Sequence, residues 1–467
     1  MRRMAAALLL LGVSTTARAA VVAVPGWAHH AIATPATVTG GVVRRGDAIL
    51  VGQGPFGAGM QSIVRLDGDG ATTIATGFNS LGGFDLDADG TLYVVDNCGN
   101  CAGATTGDTV FAIPDALTRT IALPAAGLEL APAGTIPSAF DVLSTPAGLL
   151  VSDAAGAGAG SVVAVSGGGA TPLIEGLNYV GCMTLAPDAT LRVVDTGIPP
   201  AFDAAVLAYE TDGTFITTVA PLASGYGAAL DRDAKVLVTV GSDLVAVDPG
   251  GSVAGRASGF VYGTDVFFDP AREEALVLDV AVSHIDAVCR DRDGDTVCDA
   301  DETCAAVTKT KLTLAKLDPP AGDETVALKG EAIIPGALDP IATGVEIVVA
   351  DGTLTLLDAV IPGGAYDPVT ETGWKEKDGS FSFRDASGSI GGVTKVGLGV
   401  SAKVPGRVKI AIAAKGATLA VDPARLPLSV ALVLGPADGQ CVRATFSGPP
   451  PAPTCTHSAV KARVKCK

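Results

Sequence analysis

Beyond its N-terminus the chain is a succession of short apolar runs, rich in Val, Leu and Ile, separated by Gly-, Pro- and Asp-containing turns. The runs show little 3.6-residue periodicity, so strands are predicted throughout. One unit recurs in the first 288 residues: a small or aromatic pair, a short polar turn, then an apolar strand that often ends in Asp. Gly83–Asp96 and Ala139–Asp153 are the clearest copies, Gly181–Asp195, Gly227–Thr239 and Gly263–Asp279 are weaker, and Gly41–Gly52 is a degenerate first copy. Their strand ends fall at 51, 95, 152, 194, 239 and 278, in steps of 44, 57, 42, 45 and 39 residues. About 40–45 residues suffice for a four-stranded antiparallel sheet, the blade of a propeller. One such sheet leaves both faces bare, and blades packed around an axis cover them. Six units over residues 30–288 therefore predict a six-bladed β-propeller. Residues 20–40, including Val21–Val24 and Thr34–Val38, are placed to close the ring with a strand, and a pair of β-sandwiches is the alternative arrangement.

Residues 306–467 continue as alternating strands, among them Lys311–Leu314, Thr325–Lys329, Val345–Val349, Ser380–Arg384, Arg407–Ile412 and Leu428–Leu434. Turns such as Pro362-Gly-Gly and Lys377-Asp-Gly divide them, and an antiparallel β-sandwich is expected. The fold class is all-β: a propeller over 20–288, a linker over 289–305 and a sandwich over 306–467.

Composition places this architecture. Of 467 residues 48% are apolar, 17% charged and 4% aromatic, and mean hydropathy is +0.43. After the N-terminus no apolar run reaches the ~18 residues of a membrane span, so no transmembrane segment is expected. Arg2 and Arg3, the apolar stretch Ala5–Val13 and the small-x-small Ala17-Arg18-Ala19 read as a signal peptide over 1–19. An exported protein (secreted, periplasmic or cell-surface) is expected. Residues 309–467 hold 18 Lys and Arg against 15 Asp and Glu, whereas residues 1–308 hold 14 against 34. That break marks a domain boundary. The acidic half repels nucleic acid and anionic lipid and favours cations or basic partners.

Nine cysteines in an exported chain predict disulfides with one thiol left over. Cys98 and Cys101 fit a loop-tightening bridge, Cys441 and Cys455 are the preferred C-terminal pair, and Cys182, in an apolar strand, is the expected free thiol. Zinc is not expected, because His29, His30, His284 and His457 lack ligand spacing with the cysteines.

The strand endings Leu92–Asp96 and Leu191–Asp195 resemble those of secreted NHL-repeat propellers, and more distantly of gluconolactonase-like ones. The resemblance spans about 250 residues and implies the fold, not an activity. Asp85, Asp141 and Asp265 stand at matching inner-strand starts in an ungapped comparison, and Asp96, Asp153, Asp195 and Asp279 at matching ends. Either ring could gather carboxylates around a hard cation on the axis, or each Asp could simply bond its own following backbone amides, stabilising a turn. Repetition from blade to blade favours the second. No residue earns a catalytic assignment: no His lies between His30 and His284, Glu is scarce, and no Gly-x-Ser-x-Gly elbow or phosphate loop is present.

The strongest local motif runs from Cys289 to Cys304. Asp291, Asp293, Asp295, Asp299 and Glu302 occupy positions 1, 3, 5, 9 and 12 of a twelve-residue loop, with Val297 offering a carbonyl. Charged oxygens at that spacing are what Ca²⁺ requires. The loop resembles those of thrombospondin type 3 repeats, dockerins and EF-hands, and departs from them at Thr296, where they carry a turn-forming Gly. Ca²⁺ is the expected cofactor, stiffening the hinge. The leading functional expectation is a secreted calcium-binding propeller protein acting in protein or carbohydrate binding or adhesion, not catalysis. The alternative is a metal-dependent hydrolase or lactonase of the gluconolactonase-like propeller type.

Overall fold

The computed structural model describes residues 20–467 except 33, 35–36, 69, 99–100, 157, 198–202, 292–297, 299–303, 319–321, 335–337, 352–354, 420, 423–425, 435–440 and 448–453. Six sheets drawn from residues 22–290 form the blades. Their innermost strands are Val38–Arg45, Leu81–Leu86, Ala139–Thr145, Val180–Leu185, Ala228–Leu230 and Gly263–Asp269. Each touches the next, and the sixth returns to the first, so the ring is closed. The protein is all-β, and this part is a six-bladed propeller.

Closure comes from the chain's beginning. Trp27–Ile32 pairs with His284–Arg290 as the outermost strand of blade 6, and Val22–Ala23 pairs with Val253–Ser258 in blade 5. The closing strand thus lies within residues 20–40, between Val21–Val24 and Thr34–Val38. The 57-residue step has a structural cause in blade 2, which has three strands ending at Thr109–Ile113. The following segment leaves the blade, and Leu123–Pro124 lies parallel beside Gly70–Phe78 of blade 1.

The central strands of the blades are buried on both faces, over consecutive residues such as 49–52, 236–239 and 274–279. Phe78 of blade 1 and Phe111 of blade 2, both fully buried, meet edge to face at 5.2 Å. Each such ring contributes about 1.5–3 kcal/mol relative to exposure. Arg44 of blade 1 and the buried Glu274 of blade 6 are paired across the closure.

Residues 305–466 form a five-stranded and an eight-stranded sheet around one core. Ile347, Val349 and Leu432 of the first sheet face that core, as do Leu328, Trp374, Phe383 and Ile410 of the second. The period-2 alternation that predicted these strands is the pattern that fills it. One pair departs from the antiparallel expectation: Ala305–Ala306 runs parallel to Val442–Arg443. Among the described residues, no helix is long and apolar enough to cross a membrane.

The disulfides are Cys98–Cys101, Cys289–Cys298, Cys304–Cys441 and Cys455–Cys466, and Cys182 is a buried free thiol. The preferred Cys441–Cys455 pair is therefore corrected. Register explains both C-terminal bridges. Cys304 and Cys441 each precede a residue of the parallel Ala305–Val442 pair, and Cys455 sits directly opposite Cys466.

The C-terminal sheets dock at the hairpin turns of blades 5 and 6. Arg232 donates to the Asp351 carbonyl at 3.0 Å, Thr355 N–H donates to the Arg232 carbonyl at 3.2 Å, and Arg290 lies 3.7 Å from the Asp358 carboxylate.

Candidate functional site

Five of the six inner strands carry a register shift near their starts, Ala228–Leu230 of blade 5 being regular, so equivalence must be read from the pairing. Val42, Phe84, Val142, Met183, Ala228 and Val266 lie opposite Val51, Val94, Val151, Val193, Val238 and Val277, the middle of each second strand. The residues just before them form one level around the axis: Gly41, Gly83, Asp141, Cys182, Gly227 and Asp265. Three positions carry no side chain, and the other three carry two carboxyls and a thiol. Asp141, Cys182 and Asp265 are all buried. Glycine is required opposite them. A Cβ on Gly83 would lie 2.0 Å from Asp141 Oδ1, and one on Gly227 would lie 2.7 Å from Val266 N.

Backbone amides hold the carboxyls in place. Asp265 accepts from Val42 N–H and its neighbour Val266 N–H, both at 2.9 Å, and Asp141 accepts from Met183 N–H at 2.8 Å. Each bond except that from Val266 crosses from one blade to the next. Cys182 Sγ lies 3.6 Å from Asp265 Oδ1, in donating position.

Burial dominates the electrostatics. It pushes Asp265 up to about 6 despite its two amides, and raises Asp141 well above the carboxylate range, with the charge of Asp265 adding to the effect. Burial and the charges of Asp141 and Asp265 also raise the Cys182 thiol well above its ordinary value, so it stays protonated.

A pocket of about 220 Å³ rises from this level toward the hairpin-turn face, the face on which the C-terminal sheets dock. Asp141 and Asp265 are in its floor, and Asp85, Leu143, Thr184 and Phe267 are in its wall. Asp85, grouped with Asp141 and Asp265 by ungapped comparison, sits two residues beyond Gly83 and belongs to the wall. It accepts from Leu86 N–H at 2.9 Å and from Ser144 N–H of blade 3, and burial raises it too.

The strand-end aspartates do something different. Asp96 accepts from Asn79, Ser80 and Cys98 N–H at 2.7, 3.0 and 3.2 Å. Asp153 takes Ser138 N–H, Asp195 takes Asn178 and Gly197 N–H, and Asp279 takes Val261 and Tyr262 N–H. Each latches the loop that enters its own blade; the following amides expected as partners are met at Cys98 and Gly197, while most donors lie 15–18 residues earlier in the chain.

Of the expected calcium ligands, only Asp291 is described. It is buried, and its N–H donates to the Gly26 carbonyl at 3.2 Å. Asp293, Asp295, Val297, Asp299 and Glu302 lie outside the described residues.

No protein-family profile matches the chain, and no curated protein matches it. Solved structures do. A Trichoderma reesei protein of Carbohydrate-Active Enzymes Family AA12, solved with calcium, shares 12% identity over 59% of this chain and 98% of its own, at a TM-score of 0.45. A Xanthomonas campestris gluconolactonase shares 14% over 59% and 98%, at 0.35. The calcium-binding protein regucalcin from Agrobacterium tumefaciens shares 15% over 55% and 90%, at 0.39. At these identities the likeness concerns the fold alone.

The expectation of a non-catalytic binding or adhesion protein is corrected. The three neighbours are described as a Carbohydrate-Active Enzymes family member, a gluconolactonase and a calcium-binding protein, and none of the three as an adhesion protein. The axis itself is neither featureless nor ringed by symmetric Asp turns: it carries one asymmetric acid and thiol cluster beneath a pocket.

Proposed function

We propose that this chain is a hydrolase that opens a lactone or ester in the axial pocket, with Asp265 as general base and Asp141 as general acid. The observation that carries the reading is the level Gly41–Gly83–Asp141–Cys182–Gly227–Asp265, in which glycines make room for two buried carboxyls of perturbed acidity. Asp265, titrating near 6, is ionised at neutral pH and accepts the proton of an attacking water. Asp141, raised by burial, is placed to give a proton to the carbonyl or leaving oxygen. The two titrate as a coupled pair. Cys182 donates toward Asp265 and orients it.

A resident metal does not fit this level. Asp141, Cys182 and Asp265 are not among the groups that bring three ligand atoms within 4.8 Å of one another, and Met183, Val42 and Val266 amides already occupy the carboxyls. The metal dependence of the alternative reading is therefore dropped, and its hydrolase class is kept. Assay on sugar lactones and aryl esters tests the reading. Turnover lost in Asp265→Asn and unaffected by chelators supports it, and a fully active variant contradicts it.

The junction 289–305 is the proposed calcium connector, with Asp291, Asp293, Asp295, Val297, Asp299 and Glu302 as ligands, between a propeller over 20–288 and a β-sandwich over 306–467. Supporting it, Cys289–Cys298 closes the loop at one end and Cys304–Cys441 ties the other to the C-terminal sheet. Calorimetric titration with Ca²⁺ should give one site, abolished in Asp293→Ala. Export through residues 1–19, which lie outside the described residues, completes the proposal, and four disulfides accord with an oxidising compartment.

A further inference from the structure

Sequence spacing argued against any His–Cys metal site, but strand pairing brings one together. Ala28 lies directly opposite Cys289 where Trp27–Ile32 pairs with His284–Arg290. His30, two residues along, shares the face of Ala28 and hence of Cys289. Cys298 returns over that face and bonds to Cys289. The atoms available from His30, Cys289 and Cys298 all lie within 4.8 Å of one another, with His30 Nδ1 3.4 Å from Cys298 Sγ. Among the described residues this is the one such group.

We propose that His30, Cys289 and Cys298 form a redox-gated zinc site, closed as a disulfide and opened by a dithiol reductant. Zn–S and Zn–N bonds of about 2.3 and 2.0–2.1 Å in a tetrahedron set an N···S edge of roughly 3.6 Å and an S···S edge of roughly 3.8 Å. The His30–Cys298 edge is thus nearly formed in the oxidised chain. The two sulfurs must part once the disulfide is reduced. The chemistry balances: the dithiol reduces Cys289–Cys298 to two thiols and becomes a disulfide itself, and Zn²⁺ then displaces two thiol protons while neutral His30 gives its lone pair. Water completes the tetrahedron. Cys289 and Cys298 are buried against Ala28, which shields the sulfurs.

Reduction would exchange a covalent clamp for a metal clamp beside the end of the last blade strand. The test is Co²⁺ uptake, followed by thiolate-to-cobalt charge-transfer absorption and by Zn²⁺ displacement, in the reduced full chain. The expected result is one tightly bound equivalent, at least tenfold weaker in Cys298→Ser and in His30→Ala, and no uptake in the oxidised chain. A Cys289→His chain provides an independent measurement, because it needs no reductant, keeps the other three disulfides and should bind Zn²⁺ with a rise in Tm. Uptake indifferent to His30→Ala and Cys298→Ser, or no Zn²⁺ response in Cys289→His, overturns the proposal.

Discussion

The propeller holds two sets of aspartates that sound alike in sequence and differ in chemistry. Asp96, Asp153, Asp195 and Asp279 recur blade after blade, and every one binds backbone amides of the loop entering its own strand. Asp141 and Asp265 stand in two blades of six, at a level where three blades have glycine and one has Cys182. Their bonds run mostly between blades, and burial raises both above ordinary carboxylate acidity, Asp265 to about 6. Repetition, here in four blades of six, marks a device that holds a blade's entry loop. A break in the repetition, where neighbours give up their side chains to make room, marks a place where chemistry is gathered.

The difference can be broken or sharpened by substitution. The largest effect is expected on turnover: Asp141→Asn and Asp265→Asn should each lower kcat by about 10²–10⁴-fold, the usual range for a lost general acid or base, with the melting temperature held or raised. Asp96→Ala should do the opposite. It strands three amides around a fully buried site, so a stability loss of about 3–4 kcal/mol is expected in denaturant unfolding, with kcat per folded molecule unchanged.

The pH dependence of stability separates the sets next. Asp265 is raised from 3.8 to about 6, so its folded form prefers to hold the proton. Its contribution is full below 3.8 and is lost as pH rises through about 6. Across that window the wild type should lose roughly 3 kcal/mol more than Asp265→Asn, followed by urea unfolding at successive pH values. The smallest effect is expected from Gly83→Ala, whose methyl collides with Asp141 Oδ1. A loss of about 1–2 kcal/mol, with a fall in turnover as the carboxyl is displaced, is the expected outcome.

Much of the fold was legible. The recurring apolar strand ending in Asp fixed the unit, its spacing gave six blades, and period-2 runs found the C-terminal strands. The axial site was only half legible. Asp141 and Asp265 were visible as candidates, but bulges at five of the six inner-strand starts shift side chains by one face, so ungapped comparison grouped them with Asp85 and passed over Cys182 and the three glycines. Aligning the apolar residue that follows each level position would have exposed the set. The Cys304–Cys441 bridge was hidden for another reason: it depends on a two-residue parallel pairing across 137 positions. His30 was likewise invisible as a neighbour of Cys289, because the chain's beginning supplies the last strand of the ring.

The axial acid–base pair is tested most directly by the pH profile of kcat/KM for lactone or ester hydrolysis in wild type and Asp265→Asn. The wild type should show a rising limb with its midpoint near 6, set by ionisation of Asp265, and the variant should lose both the limb and most of the rate. A profile flat through that range, or a variant that keeps the limb, would contradict the assignment.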